Sequence, residues 1–284
     1  MNHQLFTDAI READRVRMEL GLSIYEPLNI YDICKSLGID VRFVNVNMEG
    51  MYSDQGHHPT ILLSNQRPLP RRNYSCAHEL GHHRFGHGTR VDMMTDEERA
   101  NASYNNEEIL VDSFAGALLM PLAGLQAEFI QRGKDPKKSS PLDFMIIASI
   151  FGVGYGTIVT HCRINGLIGF DREKTLLKHS PAKILKGLLG KSQPTHYKIL
   201  DEFGTGIPID LEVSNLLILP TGYEAECDHL VKIGEVGISS VFKAVYGGIT
   251  RLNNESLKTG CFVRIQNKNY VGLAEYRHLE NKEI

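Results

Sequence analysis

The first twenty residues, MNHQLFTDAIREADRVRMEL, interrupt their apolar positions with Arg11, Glu12, Asp14 and Arg15. That interleaving predicts an amphipathic helix ending near Gly21. A second short helix is expected from Asn29 to Leu37, closed by Gly38. Val41–Val46 and Ile61–Ser64 are β-branched or leucine-rich runs between turn residues and read as strands. Pro70 suits the first position of a helix that runs through His83 and stops near Gly86. The polar stretch Thr89–Asn106 separates it from another helix, Glu107–Met120, ended by Pro121. Leu142–Ile168 is helical with a glycine-bearing turn in its middle. Beyond a breaker region at Gly190–Thr195 the pattern changes to strand-like runs, Leu211–Leu219, Cys261–Gln266 and Tyr270–Tyr276. The last two flank Asn267-Lys268-Asn269, which predicts a hairpin turn. The fold class is α+β, in three parts: an amino-terminal domain over 1–131, a helical helix-turn-helix-like segment over 132–189, opened by the linker-like RGKDPKKSSP, and a β-rich domain over 190–284.

Composition narrows the class. Of 284 residues, 42% are hydrophobic and 23% charged, the balance of a globular chain rather than a disordered one. A net charge of −3 gives no global pull toward nucleic acid or anionic lipid, so such a partner would need a local patch. The five cysteines, Cys34, Cys76, Cys162, Cys227 and Cys261, are scattered and never spaced as Cys-x-x-Cys, which argues against a disulfide framework or a zinc ribbon. The charged amino terminus lacks the apolar core of a signal peptide. The longest uncharged run, Phe144–Thr160, is broken by Gly152, Gly154 and Gly156 and falls short of a bilayer span. A cytoplasmic protein without a membrane partner is expected.

The candidate chemistry lies in His78-Glu79-Leu80-Gly81-His82. Histidines four residues apart on a helix share one face and can reach one tetrahedral Zn2+, with Glu79 beside them as general base toward water in the open position. The longer pattern HExxHxxGxxH is rejected, because Phe85 and Gly88 stand where it needs Gly and His. A third ligand is found instead in Glu108. Val111, Phe114, Ala115, Leu118 and Leu119 form an apolar helical stripe, and Glu108 precedes Val111 by one turn on the same inward face. A carboxylate there needs a neutralising partner, which zinc and two histidines supply. Asp112, one turn further, can accept the outer N–H of a ligating histidine. The predicted metal ligands are therefore His78, His82 and Glu108, with Glu79 catalytic. His83 and His87 are expected to cap the helix or face solvent. Tyr52, Tyr104 and His161 are the candidates for oxyanion stabilisation.

With these residues in place the chain resembles the ImmA/IrrE family of bacterial zinc metallopeptidases. The resemblance rests on RRNYSCAHELGHHRFGHG at 71–88, EEILVDSFAGALLMP at 107–121 and FGVGYGTIVTHCRINGLI at 151–168, and covers roughly residues 1–170. It implies a zincin-like domain in which His78, His82 and Glu108 bind the metal and Glu79 is catalytic. It also implies site-specific cleavage of a partner protein, a helix-turn-helix transcriptional repressor, to switch on stress or defence genes. His161 and Cys162 depart from the Arg-Leu often found there in the family. IrrE-like members carry a GAF-like sensory domain after the peptidase part, which the strand content beyond 190 would permit.

The rival reading is a DNA-binding regulator with a structural zinc site, in which Glu79 is dispensable. It would use Tyr155–Arg163 as a recognition helix, although only His161 and Arg163 there are basic. In the C-terminal part, Lys232, Lys243, Arg251, Lys258, Arg264 and Lys268, with Tyr246, Phe262 and Tyr270 as stacking platforms, suggest a sensor for a nucleic-acid or small-anion activator; the alternative is that these charges are solvated and the module docks the substrate. Ile61–Ser64, just before the zinc helix, is expected to offer an open strand edge to the substrate.

Overall fold

A computed structural model describes residues 3–54, 58–92, 106–190, 196–204, 206–256 and 258–279. The chain divides into two compact units. The first is Met1–Ala127 with Phe151–Val153 and Asn269–Glu275; the second holds Glu128–Ile150, Gly154–Lys268 and the residues from Tyr276 on.

In the first unit, helix α1 (His3–Glu19) buries Ala9, Ala13 and Val16, at the spacing the amphipathic pattern requires. It also buries Arg17, whose guanidinium closes the far end of helix α4 (Asn106–Leu119). Nε and Nη2 donate to the Leu118 carbonyl at 3.1 and 2.7 Å, and Nη1 donates to the Glu26 carbonyl at 3.0 Å. A helix leaves its last carbonyls without internal donors, and a buried arginine satisfies one here. Helix α2 (Ile30–Ser36) starts at Asn29, whose Oδ1 accepts from the backbone N–H of Tyr31 and Asp32.

The sheet of this unit contains β1 (Asp40–Val44), β2 (Gly50–Ser53), β3 (Thr60–Ser64), β4 (Arg90–Asp92) and, from the far end of the chain, β13 (Gly272–Leu273), in the order β13-β1-β3-β2-β4. β3 runs parallel to β1 and antiparallel to β2. The expected open edge at Ile61–Ser64 is therefore wrong: its backbone is paired on both sides, and the strand is interior. The run Tyr270–Tyr276 likewise forms no hairpin with Cys261–Gln266. Gly272 and Leu273 pair antiparallel with Phe43 and Arg42 of β1 instead. Asn65 holds this segment by donating from Nδ2 to the carbonyls of Asn269 at 2.9 Å and Tyr270 at 3.3 Å. Tyr270 meets Phe43 edge-on, and Lys35 is ion-paired to Glu275.

Helix α3 (Leu69–Arg84) packs on β2 and β3 and against α2 and α4. Every residue from Ser75 to His82 is buried, the mark of a helix covered on all sides. At its end Arg84 bonds Glu12 at 2.6 Å and Glu19 at 2.9 Å, tying α3 to α1. By length and composition Asn106–Gln131 would serve as a membrane span. It is nevertheless two helices, α4 and α5 (Leu122–Gln131), separated at Met120-Pro121, and Val111, Phe114, Ala115 and Leu118 are wholly buried in the protein.

In the second unit, helices α6 (Pro141–Phe151) and α7 (Tyr155–Ile164) meet at 98° across a short glycine-bearing turn, a helix-turn-helix geometry. The face of α7 holding Tyr155, Ile158, Val159 and Cys162 is buried, and Arg163 is ion-paired to Glu173 at 2.7 Å. The arginine that phosphate recognition would use is thus engaged in packing the segment. The remaining strands are β5 (Tyr197–Ile199), β6 (Ile209–Glu212), β7 (Leu216–Pro220), β8 (Glu224–Ala225), β9 (Leu230–Val236), β10 (Ser239–Ala244), β11 (Gly248–Asn254) and β12 (Thr259–Gln266). They form two four-stranded sheets, in the orders β5-β7-β10-β9 and β6-β12-β11-β8. They share one core, including Leu211, Leu217, Leu219, Phe242, Leu252, Val263 and Ile265. The single strand read at Leu211–Leu219 is two, β6 (Ile209–Glu212) and β7 (Leu216–Pro220), separated by a turn in which Ser214 has φ 79°.

Candidate metal centre

α3 and α4 approach each other at Gly81. A Cβ there would lie 2.9 Å from Val111 Cβ and 3.1 Å from Phe114 Cδ1, so only a glycine fits at this closeness. The contact brings the amino-terminal turn of α4, where Glu108 lies, over the turn of α3 that carries His78 and His82.

The two imidazoles meet with Nε2 atoms 3.2 Å apart. Glu108 Oε2 is 3.3 Å from His78 Nε2, and its Oε1 is 3.7 Å from His82 Nε2. A tetrahedral zinc with metal–ligand bonds of about 2.0–2.1 Å separates its ligand atoms by about 3.3–3.4 Å. The His78–His82 and His78–Glu108 spacings match that requirement, the Glu108–His82 spacing exceeds it by about 0.3 Å, and the ligand atoms of all three residues lie within 4.8 Å of one another. His78, His82 and Glu108 are thus fitted to hold a metal ion. Both histidines are almost fully buried, at 4% and 2% exposure, while Glu108 is partly open.

The electrostatics favour a cation as well. Burial opposes a charged His78, but its hydrogen bonds to Asp112 and Glu108 and the nearby charge of Glu79 outweigh that and raise its pKa to about 10. The His78 imidazole thus sits in a field of carboxylates that favours a cation. His78 Nδ1 is 2.9 Å from Asp112 Oδ1, the carboxylate the helical spacing placed near it.

Glu79 points to a different neighbour. It is 1% exposed and rests on β2, where a Cβ at Gly50 would stand 2.8 Å from its Oε1. The preceding Glu49, also 1% exposed, is gripped by Arg67 Nε and Arg71 Nε at 2.7 Å each, which anchors the start of β2. The backbone of β2 therefore seats the Glu79 carboxylate.

One turn further along the same helix face, His83 Nδ1 lies 2.7 Å from the Tyr52 hydroxyl. Burial, and then the charge of Arg84, lowers the pKa of His83, while burial raises that of Tyr52. Tyr52 is buried and directed at His83. His161 lies on α7 in the second unit, and Tyr104 lies outside the described residues.

His87 is not directed simply to solvent: its Nδ1 is 3.0 Å from His82 Nδ1. Helical spacing does not reveal this, since the fifth residue after His82 would leave its face. Among the proposed activator residues, Arg264 makes a two-point ion pair with Asp210 at 2.7 and 2.8 Å, Lys232 pairs with Glu235, and Tyr270 belongs to the first unit. Arg251 lies over the exposed ring of Phe262, 5.9 Å from its centre.

No curated protein matches the chain. A solved structure described as a Mycobacterium tuberculosis transcriptional regulator aligns at 18% identity with a TM-score of 0.33, over 55% of this chain and 46% of that one. This chain thus spans less than half the length of that structure. Residues 34–162, which include all of α3 and α4, match the peptidase family described as the IrrE N-terminal-like domain. Over that span, 129 of the 284 residues, the chain is similar to the peptidase domain of the ImmA/IrrE family.

Proposed function

We propose that the protein is a zinc-dependent endopeptidase of the cytoplasm that cleaves a helix-turn-helix transcriptional repressor at one site and so switches on stress or defence genes. The observation that carries this reading is the convergence of His78, His82 and Glu108 at tetrahedral ligand spacing, with Glu79 beside them.

Zinc, when bound, supplies a Lewis acid that acidifies water and polarises the scissile carbonyl. The other steps fall to this chain's side chains. Glu79, seated by Gly50, accepts a proton from the attacking water and returns it to the departing amine nitrogen. Asp112 accepts the Nδ1–H of His78, which leaves Nε2 free to ligate and fixes the ring's rotation. Among the described residues the outer strand on this side of the sheet is β4, next to β2, and an extended substrate segment is proposed to add there rather than at β3. Hydrogen exchange at 90–92 should slow when a substrate peptide binds; no change would remove that seat. An anionic activator is proposed on the exposed Arg251–Phe262 platform, and Arg251→Ala should abolish any salt-sensitive activation by single-stranded DNA.

The central test is intact-mass analysis of helix-turn-helix repressors from the same genome, starting with any encoded next to this protein, after incubation with the zinc-loaded chain. The expected result is two fragments from a single cut, abolished by a chelator and by Glu79→Gln. An uncut repressor, or one cut equally by Glu79→Gln, would overturn the reading.

A further inference from the structure

The turn that ends α3 returns His87 to the candidate metal centre. After Arg84 and Phe85 the backbone enters the left-handed region at Gly86, with φ 68°. The His87 N–H then donates to the His82 carbonyl at 3.0 Å, and the Gly86 N–H donates to the His83 carbonyl at 3.2 Å. This is the Schellman pattern of helix termination, in which the residue after the left-handed glycine lies back against the third residue from the helix end. That contact is ordinarily between two apolar side chains. Here it joins two imidazoles, His82 and His87, with ring centres 5.2 Å apart and Nδ1 atoms 3.0 Å apart. On the other side, the His87 ring stacks on Phe85.

Proton placement follows from the ligand geometry. His82 Nε2 faces His78 Nε2 and Glu108, so a cation held there requires its lone pair. The ring proton of His82 must then sit on Nδ1, and at 3.0 Å His87 Nδ1 is placed to accept it. His87 in turn must keep its own proton on Nε2. The reverse assignment, His87 donating to His82, would place a proton on the nitrogen that faces the metal.

We propose that His87 is a positioning residue of the metal centre, accepting the Nδ1–H of His82 as Asp112 accepts that of His78. The two ligating histidines are thus oriented from opposite sides, one by a carboxylate on α4 and the other by an imidazole supplied by the helix-ending turn of α3. Gly86 belongs to the same device, since the left-handed backbone there brings His87 into place.

The inference rests on the metal-site reading above but needs no substrate to test. Cobalt(II) and zinc(II) affinities of the full chain are measured by competition with a chromophoric chelator, together with the visible spectrum of the cobalt form and the melting temperature of the metal-free protein. His87→Phe keeps a ring in the turn but has no acceptor, whereas His87→Gln retains a carbonyl oxygen. Loss of such a partner typically weakens metal binding about 10–100-fold. His87→Phe should fall in that range with an altered cobalt spectrum and an unchanged metal-free melting temperature, and His87→Gln should recover part of the loss. Gly86→Ala should weaken binding by a similar factor, with little added effect when combined with His87→Phe. Wild-type affinity and spectrum in His87→Phe, with metal bound normally by the unsubstituted protein, would overturn the role of His87 alone. If the unsubstituted chain takes up neither metal, the metal centre fails and this inference with it.

Discussion

Replacing Gly81 by alanine tests whether the approach of α3 to α4 builds the metal centre. The new methyl would stand 2.9 Å from Val111 Cβ and 3.1 Å from both Val111 Cγ1 and Phe114 Cδ1. Comfortable carbon–carbon contact begins at about 3.5 Å, so the helices must part by roughly half an ångström or more at this point. Neither neighbour can swing aside: both are fully buried, and a β-branched valine in a helix is confined to essentially one rotamer. Overpacking of this kind costs about 1–3 kcal/mol, while alanine returns about 0.8–1 kcal/mol in helix propensity. The net loss of stability should be small, between roughly zero and 2 kcal/mol. The metal responds more sharply, because Glu108 lies one turn from Val111 and moves with it, and coordination tolerates only about 0.2 Å of error. Zinc affinity, read by chelator competition, should therefore fall at least about tenfold, or about 1.4 kcal/mol, in a chain that still melts cooperatively. Gly156→Ala on α7 is the control: a Cβ there meets nothing within 4 Å, so the same substitution should stabilise by about 0.8 kcal/mol and leave zinc binding alone. A folded Gly81→Ala protein with wild-type zinc affinity would refute the argument.

Other expectations concern chemistry, pH and the crossing segment. Glu79→Gln should lower repressor cleavage by about 10²–10⁴-fold while zinc stays bound, whereas Glu108→Ala should lose the metal as well; metal analysis finding Glu79→Gln empty would break that division. Burial, followed by the charge of Arg277, pushes the pKa of His278 down to about 4, below its unfolded value of about 6.5. Its contribution is therefore fully present above pH 6.5 and is lost as the pH falls toward 4, at no more than about 1.4 kcal/mol per pH unit. His278→Gln should flatten this acid limb in urea titrations, and an identical limb in both proteins would remove the assignment; Asp210, Arg264 and Arg277 face the same ring and stay in place. Asn65→Ala removes the bonds to the Asn269 and Tyr270 carbonyls and should cost about 1–3 kcal/mol, with a change inside experimental error counting against the importance of that anchor.

Local physics made much of the first unit legible from its residues. The Asn29 cap, the proline-led start of α3 and the end of α4 before Pro121 each depend on neighbours within one turn. The grouping of Glu108 and Asp112 with the two histidines followed from helical spacing and the cost of an inward carboxylate. What depended on distant partners was not readable. β2 contains Gly50, Met51, Tyr52 and Ser53, too short a run to announce a strand, and becomes one because β3 and β4 lie on either side. β3 has the same strand pattern whether it lies at an edge or inside. Tyr270–Tyr276 looked like half of a hairpin because its true partner, β1, lies near the other end of the chain. His87 was hidden for a different reason: it follows the helix, and only the reversal at Gly86 returns it to His82.

The strand contributed by Gly272 and Leu273 has a consequence for how the protein is made. Its partners Arg42 and Phe43 leave the ribosome more than two hundred residues earlier. At about 5–20 residues per second, roughly 10–50 s pass before the last strand of that sheet exists. Throughout that interval β1 presents an unpaired edge to the cell, and the closing contact carries the entropic cost of a very long loop. A nascent chain is thus denied a finished sheet until the ribosome has translated nearly all of the second unit, and a message cut short after the codons of α3 yields a protein still lacking the outer strand beside β1.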